Sequence, residues 1–284
     1  MRSEIVLLGF VAFLPAMLAG SVPLSEALPF GDGLVGPAVT GAVSGPAASP
    51  AESHDSSEGT TASSMPDTAS LAWKVESALS ALAPHIVAQS HPEALRTALH
   101  AYYDFVDSHP ERVRNPYFYY VDFGLDNLTP RGYVFDMSSW EVVDGPFTVS
   151  HGRGSLAADG VPTRFSNQPG SYATSLGLYV TAETYTFSGR ASGRAYTSVG
   201  LRLDGVSGSF NDNARRRGIV VHGAPYVTAA RAGLSEGCPA MEQARARRLL
   251  PMIANGGLVF HFSPNDERWL AQAMAGLDAL AAAD

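Results

Sequence analysis

Apolar positions recur at helical spacing in four stretches of the chain and at strand spacing in many more. Leu71, Val75, Leu79 and Leu82 form one stripe, closed by Pro84, and predict a helix over 71–83. Leu95, Leu99, Tyr102 and Val106 predict a second over 91–106, with Ser90 and Glu93 spaced as a capping box. A third is expected from Pro239 to about Ile253. A fourth runs from Asp266 to the end of the sequence, with Trp269, Leu270, Ala273, Met274, Leu277 and Leu280 on one side. From Pro116 onward the texture is otherwise short aromatic and β-branched runs separated by glycine. These predict strands at 117–123, 133–135, 147–150, 178–185, 199–203, 218–221 and 258–262.

The sum is a mainly β (α+β) fold: a β-sandwich or barrel with peripheral helices and a short N-terminal helical segment. The 28 glycines and 19 prolines agree with many turns, and a hydrophobic content of 45% suffices for a core. The expected organisation is a signal peptide over 1–27, a linker over 28–70, a helical segment over 71–110, a catalytic domain over 111–264 and a C-terminal helix over 265–284. The helical segment fits either a small subdomain or a flap on the main fold. No internal repeat is visible.

The N-terminal apolar run, Ile5–Leu18, is interrupted by Pro15 and falls short of the ~20 residues of a bilayer-spanning helix. With Ser25-Glu26-Ala27 as a small-x-small cleavage site it reads as an export signal, and cleavage leaves no stable membrane anchor. Glu4 weakens the basic start of such a signal, so an uncleaved anchor stays open. Between 31 and 70 the chain is Gly, Ala, Ser, Pro and Thr, too poor in large apolar groups to fold alone. The net charge of −8 argues against nucleic acid as a partner and gives no steering toward anionic surfaces.

Export changes the meaning of the single cysteine, Cys238. It has no internal disulfide partner, so it is buried filler, an intermolecular link or a working group. Its neighbours Glu236, Gly237 and Pro239 are not those of an apolar core strand. Pro239 suits the first helical position, which makes Cys238 the expected N-cap. A thiol of pKa ~8.5 needs about 2.7 kcal/mol of preference for the thiolate to reach ~6.5. A helix N-terminus supplies ~0.3–1 kcal/mol, up to ~2 in a favourable site. A nearby imidazolium would close the gap, and His222, at the end of the strand predicted over 218–221, is the best candidate. The backbone N–H groups of Gly237 and Cys238 would face an oxyanion formed when sulfur attacks a carbonyl. Nucleophile, base and oxyanion donors of acyl transfer are all represented.

The wording around these residues resembles the L,D-transpeptidases (YkuD-like), and within them the murein L,D-transpeptidase catalytic-domain branch. The resemblance is carried by His222-Gly223-Ala224-Pro225-Tyr226, Ser235-Glu236-Gly237-Cys238-Pro239-Ala240 and Asn255 to Phe260. Upstream it rests on Val149-Ser150-His151-Gly152, Phe165-Ser166-Asn167 and Ser175 to Tyr179. It covers roughly 117–263. It implies Cys238 as nucleophile, His222 as general base and the Gly223 carbonyl as orienter of the imidazole. Gly237 and Cys238 become the oxyanion hole, and Ser235 supports the turn. Ser235, Tyr226, His151, Ser166, Asn167, Gly177 and Tyr179 are assigned to the substrate's surroundings.

The activity implied is attack on peptidoglycan stem peptides, with no metal or organic cofactor, and carbapenem-type inhibitors as further ligands. Glu236 departs from the pattern, since many relatives carry histidine there and the nearer branch often tryptophan. A carboxylate pointing inward would raise the thiol pKa; it is expected to point outward. Rival readings are a sortase-like thiol acyl-transferase, and a wall-binding domain that kept the fold and lost activity. The runs Arg215–Arg217 and Arg245–Arg248 read as solvated, although the first could meet a substrate carboxylate. His151 fits a turn residue as well as a site residue, and His261 a satisfied core or edge histidine. One cysteine and scattered histidines do not give a zinc spacing.

Overall fold

The computed structural model describes residues 67–156 and 159–281. The export-signal and most of the linker assignments, over 1–66, lie outside the described residues. All described residues belong to the second of the chain's two units, Thr61–Asp284.

Two helices come first: α1 (Asp67–Leu82), which begins slightly before the expected 71, and α2 (Ala94–Ser108). Pro84 ends α1 by turning it into a short 3-10 segment, Ala83–His85. The expected capping box on α2 does not form. Ser90 Oγ instead donates to Asp122 Oδ1 at 2.6 Å, and its N–H to Asp122 Oδ2 at 2.8 Å, so it ties the helix approach to the sheet.

The strands follow as β1 (Tyr117–Asp122), β2 (Gly132–Asp136), β3 (Glu141–Phe147), β4 (His151–Gly152), β5 (Gly177–Ala191) and β6 (Arg194–Gly205). A short helix α3 (Ala214–Arg217) leads into β7 (Val220–Ala224). The small pieces β8 (Val227–Thr228), β9 (Arg231–Ala232) and β10 (Leu234–Ser235) come next. The chain closes with β11 (Ala240–Glu242), α4 (Gln243–Ile253), β12 (Leu258–Phe262) and α5 (Glu267–Ala281). Eight strands make one sheet in the order β11-β7-β6-β5-β12-β1-β2-β3. The pairs β1/β12 and β11/β7 are parallel, and the other pairs are antiparallel.

Both faces of this sheet are covered, which is why its inner strands read as unbroken apolar runs rather than an alternation. On β1, Phe118 and Tyr120 point to one face with Phe135, Leu178, Phe260 and Phe262, and α1, α2 and α5 pack over them. Tyr119 and Val121 point to the other, with Leu201, Leu203, Val221 and Val259, and Leu249, Leu250 and Ile253 of α4 fill that side. The helices at 67–108 pack on the main fold and share one core with the sheet.

The expected β-rich fold with peripheral helices is what forms, but the barrel does not close. After β3 the chain comes back so that Ser150 N–H donates to Ala240 O at 2.8 Å. That single bridge is the extent of pairing between the two ends of the sheet among the described residues. The strand expected at 147–150 forms earlier: β3 ends at Phe147, and of the rest only Ser150 pairs, in an isolated bridge; Asp144-Gly145-Pro146 masked the strand's earlier residues. No helix among the described residues is long and apolar enough to cross a membrane.

Pro239 does not open a helix. Ala240–Glu242 pair with His222–Ala224 as the edge strand β11, and α4 begins only at Gln243. A proline just ahead of an edge strand leaves no ladder hydrogen bond unmade, so the same residue suits either role. The open edge of β7 decided between them.

Candidate active site

The parallel pairing of β11 with β7 sets Ala240 opposite His222. In a parallel pair, Cys238 then lies level with Val220, on the approach to the histidine strand. Cys238 and His222 line one cavity of about 1200 Å³, together with Ser235 and Tyr226, Glu236, Arg217, and Phe187 and Tyr196 of the β5–β6 hairpin.

His222 is buried, 2% exposed. Its Nδ1 is 3.2 Å from Gly223 O, a carbonyl that can only accept, so the proton sits on Nδ1 and Nε2 keeps its lone pair. Phe187 stacks on the ring at 4.0 Å with 14° between planes, and Tyr226 meets it edge-on at 6.5 Å. Burial pulls the imidazole pKa down to about 4, against a smaller upward pull from the Gly223 carbonyl. The base is therefore neutral at pH 7 and is not the imidazolium the sequence called for.

The glycine after it is required by packing. A Cβ on Gly223 would collide with Ser198 Oγ and sit 2.8 Å from Ala246 Cβ, where α4 crosses β7.

Cys238 is half-buried on the cavity wall. Its Sγ lies 3.7 Å from Gly218 O. Burial pushes the thiol pKa up, while the Val220 backbone N–H and the Arg217 charge pull it down and Glu236 adds a small upward push. Because the helix starts at Gln243, its dipole, which fades within the first turn, does not act on the sulfur. The resting pair is a neutral thiol and a neutral imidazole. Among the described residues they share no direct hydrogen bond.

Ser235 staples the turn that carries the thiol. Its Oγ donates to Cys238 O at 2.6 Å and accepts from Gly237 N–H at 3.2 Å. Gly237 N–H is thereby occupied, which leaves Cys238 N–H as the readier oxyanion donor of the two. Gly237 needs its lack of side chain, with φ of +121° and Ala173 O 3.1 Å from where a Cβ would stand.

Other residues assigned to the substrate's surroundings stand behind the cavity and do not line it. His151 is fully buried. Its Nδ1 accepts from Arg131 Nη2 at 2.8 Å, because a guanidinium only donates, and burial and that charge lower its pKa to about 3. The next residue, Gly152, lets the thiol turn approach: a Cβ there would be 2.7 Å from Gly237 Cα. Tyr179 is buried, its OH donating to Ser175 O at 2.8 Å. Gly177 (φ +106°) abuts Ser207. Ser166 and Asn167 line a separate hollow of about 260 Å³, where Asn167 Nδ2 donates to Asp212 Oδ1 at 2.6 Å. His261 is buried as expected, bonded through Nδ1 to Ser175 O at 3.0 Å.

Glu236, expected to point outward, is 75% exposed in its side chain, yet it lines the cavity and stands 3.8 Å from Arg153. The Arg215–Arg217 run is not uniformly solvated: Arg215 and Arg216 are exposed, but Arg217 is half-buried on the cavity wall. Nor is the second run simply solvated, since Arg245 reaches Asp144 at 3.0 Å and Arg248 joins the same carboxylate, fastening α4 to β3. Sequence reading missed Phe187, and it named Arg217 only as part of a run read as solvated. The alternation Tyr185, Phe187 carried a strand signal only, and Arg217 was masked by its neighbours.

A thiol, a neutral imidazole with a free Nε2 and a turn with an unengaged N–H are the parts of a nucleophilic acyl-transfer site. The family model of the L,D-transpeptidase catalytic domain (YkuD_2) matches residues 87–262, more than half of the chain. The chain belongs to that family. Among solved structures, an L,D-transpeptidase from Mycobacterium smegmatis is 14% identical with a TM-score of 0.33, over 52% of this chain and 59% of that one. An L,D-transpeptidase (Yku) from Stackebrandtia nassauensis is 12% identical with a TM-score of 0.34, over 68% and 78%. L,D-transpeptidase 3 from Mycobacterium tuberculosis, in complex with a faropenem-derived adduct, is 15% identical with a TM-score of 0.29, over 51% and 60%. This chain thus spans about three fifths of the first and third of those proteins. A search of curated proteins gave no match. Membership rests on the family model, whose span takes in α2 as well as the sheet.

Proposed function

We propose that this chain is an exported cysteine L,D-transpeptidase that works on peptidoglycan stem peptides through a Cys238 thioester. The observation that carries the reading is that Cys238 and His222 line the same cavity in a chain of this family. His222 Nε2 takes the thiol proton as Sγ attacks the carbonyl of an L-to-D peptide bond in the donor stem. The S–C bond forms, and the oxyanion meets the Cys238 N–H. The C–N bond then breaks, and the imidazolium returns its proton to the departing amine of the terminal D-residue. An amine of a second stem attacks the thioester, its proton passes to His222, and the thiol is restored. Water in place of that amine gives trimming instead of cross-linking. No step calls on a metal or organic cofactor. A carbapenem would acylate the same sulfur by opening its β-lactam ring.

Glu236 is largely solvated and 3.8 Å from Arg153, which speaks against a domain inactivated at that position. The test is digestion of purified muropeptides by the wild type and by C238A, read by mass. The wild type is expected to release the terminal D-residue and build dimers or trimmed stems, and C238A to do neither. Turnover by C238A at the wild-type rate would remove the mechanism. Export is supported by the Ile5–Leu18 run ahead of Ser25-Glu26-Ala27. Fractionation of producing cells should recover the protein in the envelope, and confinement to the cytoplasm contradicts it.

A further inference from the structure

Cys238 lacks the helix terminus its sequence promised, and the resting His222 is neutral, so neither places a standing positive charge beside the sulfur. The chain around α3 supplies one. Gly218 ends α3 in the left-handed region at φ 70°, its N–H bonding back to Ala214 O and Arg215 O, and turns directly into β7. The carbonyl of this same Gly218 is 3.7 Å from Sγ, which puts the preceding residue, Arg217, at the thiol's side.

The Arg217 guanidinium makes four hydrogen bonds, all to neutral oxygens of one loop. Nη1 donates to Ser166 O at 2.7 Å and Ser175 Oγ at 3.3 Å, and Nη2 to Ala173 O at 2.7 Å and Ser171 Oγ at 3.2 Å. On the other side, Nη2 stands 3.6 Å from where a Cβ on Gly237 would be. Among the described residues it has no carboxylate partner, whereas Arg202 and Arg215 share Glu183, and Arg245 and Arg248 share Asp144. The charge is fixed in place, half-buried and uncompensated.

The other groups around the sulfur do not do this work. Glu236, 75% exposed in its side chain, carries the opposite sign and leans to Arg153. Arg216 lines the cavity but is exposed and bonded to Asn213 Oδ1. Tyr196 and Tyr226 line the cavity, Tyr185 and Tyr179 do not, and burial raises the pKa of each, so all four are neutral.

We propose that Arg217 is a positioning residue that presents a fixed positive charge to Cys238 while pinning the 166–175 loop against the Gly237 turn. It rests on Cys238 as the nucleophile, but its test needs no stem peptide. As the only cysteine in the chain, Cys238 reports alone when iodoacetamide alkylation is followed against pH.

An opposite charge at close range lowers an acid's pKa by one unit or more. Arg217→Met should therefore move the alkylation midpoint up by about one pH unit, with a rate near pH 7 about tenfold lower. Arg217→Gln, which keeps amide donors for the loop carbonyls, should show the same shift and carries the test if the methionine variant does not fold. Arg217→Lys keeps the charge and should hold the midpoint near the wild-type value. A midpoint unmoved in Arg217→Gln overturns the proposal. So does an Arg217→Lys profile displaced as far as that of Arg217→Gln, which would make the residue a loop staple only. A wild type that turns over no muropeptide, with these shifts intact, would fault the transpeptidase reading and leave the charge assignment standing.

Discussion

His222 stays neutral because the protein removes its ring from water, and the hydrogen bond from Nδ1–H to the Gly223 carbonyl, a weaker pull the other way, keeps the lone pair on Nε2. A base with a depressed pKa keeps its lone pair above that pKa and loses it as pH falls through it. The acid limb of kcat/KM is accordingly expected near pH 4, well below the 6.5 of a free histidine. A pH–rate profile with its acid midpoint at 6.5 would contradict this environment. At this scale the sequence was legible where a residue is unique or sits in an ordered motif, as with Cys238 and His222. It was less so for His151, Asn167 and Tyr179. A motif constrains residues that build the floor of a site as tightly as residues that line it, and spacing alone does not separate them. Gly152 shows why: it is needed so that Gly237 can come close, not so that a ligand can.

The hairpin of β5 and β6 sets the environment of the imidazole. Its outer half, Thr186–Val199, pairs only with itself and leaves the sheet to wall the cavity. Phe187 on that wall stacks on the imidazole, a contact worth about 0.5–1.5 kcal/mol beyond the area it buries. Removing it exposes the ring. Phe187→Ala is expected to shift the acid limb upward by about one pH unit, equivalent to about 1.4 kcal/mol of restored hydration. An acid limb that does not move would mean that the hairpin shapes the cavity without governing the base. Strand spacing marked 178–185 and 199–203 as strands, but the continuation ran through Ser188-Gly189 and Ser192-Gly193, which read as turns. The start of α4 misled for a different reason. Proline, then a small residue, then Met-Glu-Gln is a sound local helix signal, and the free edge of β7 outweighed it.

Across the whole molecule, burial on both faces explains why the strands were easy to find and their order was not. Apolar runs mark what is inside, but neither the β11-β7-β6-β5-β12-β1-β2-β3 order nor the parallel β11/β7 pair is written in any one segment. The total charge is equally blind to place. A chain of net charge −8 still lines its cavity with Arg153, Arg190, Arg216 and Arg217 against the single carboxylate of Glu236. The sheet that brings Val220–Ala224 beside Ala240–Glu242 is what puts sulfur and imidazole on one wall. The most direct test is peptide mass mapping of the protein after brief reaction with a tetrapeptide stem or a carbapenem. The account predicts a covalent acyl group on the peptide containing Cys238, and a much slower build-up of it in His222→Ala. An unmodified Cys238 under turnover conditions, or an acyl group on a different residue, would contradict it.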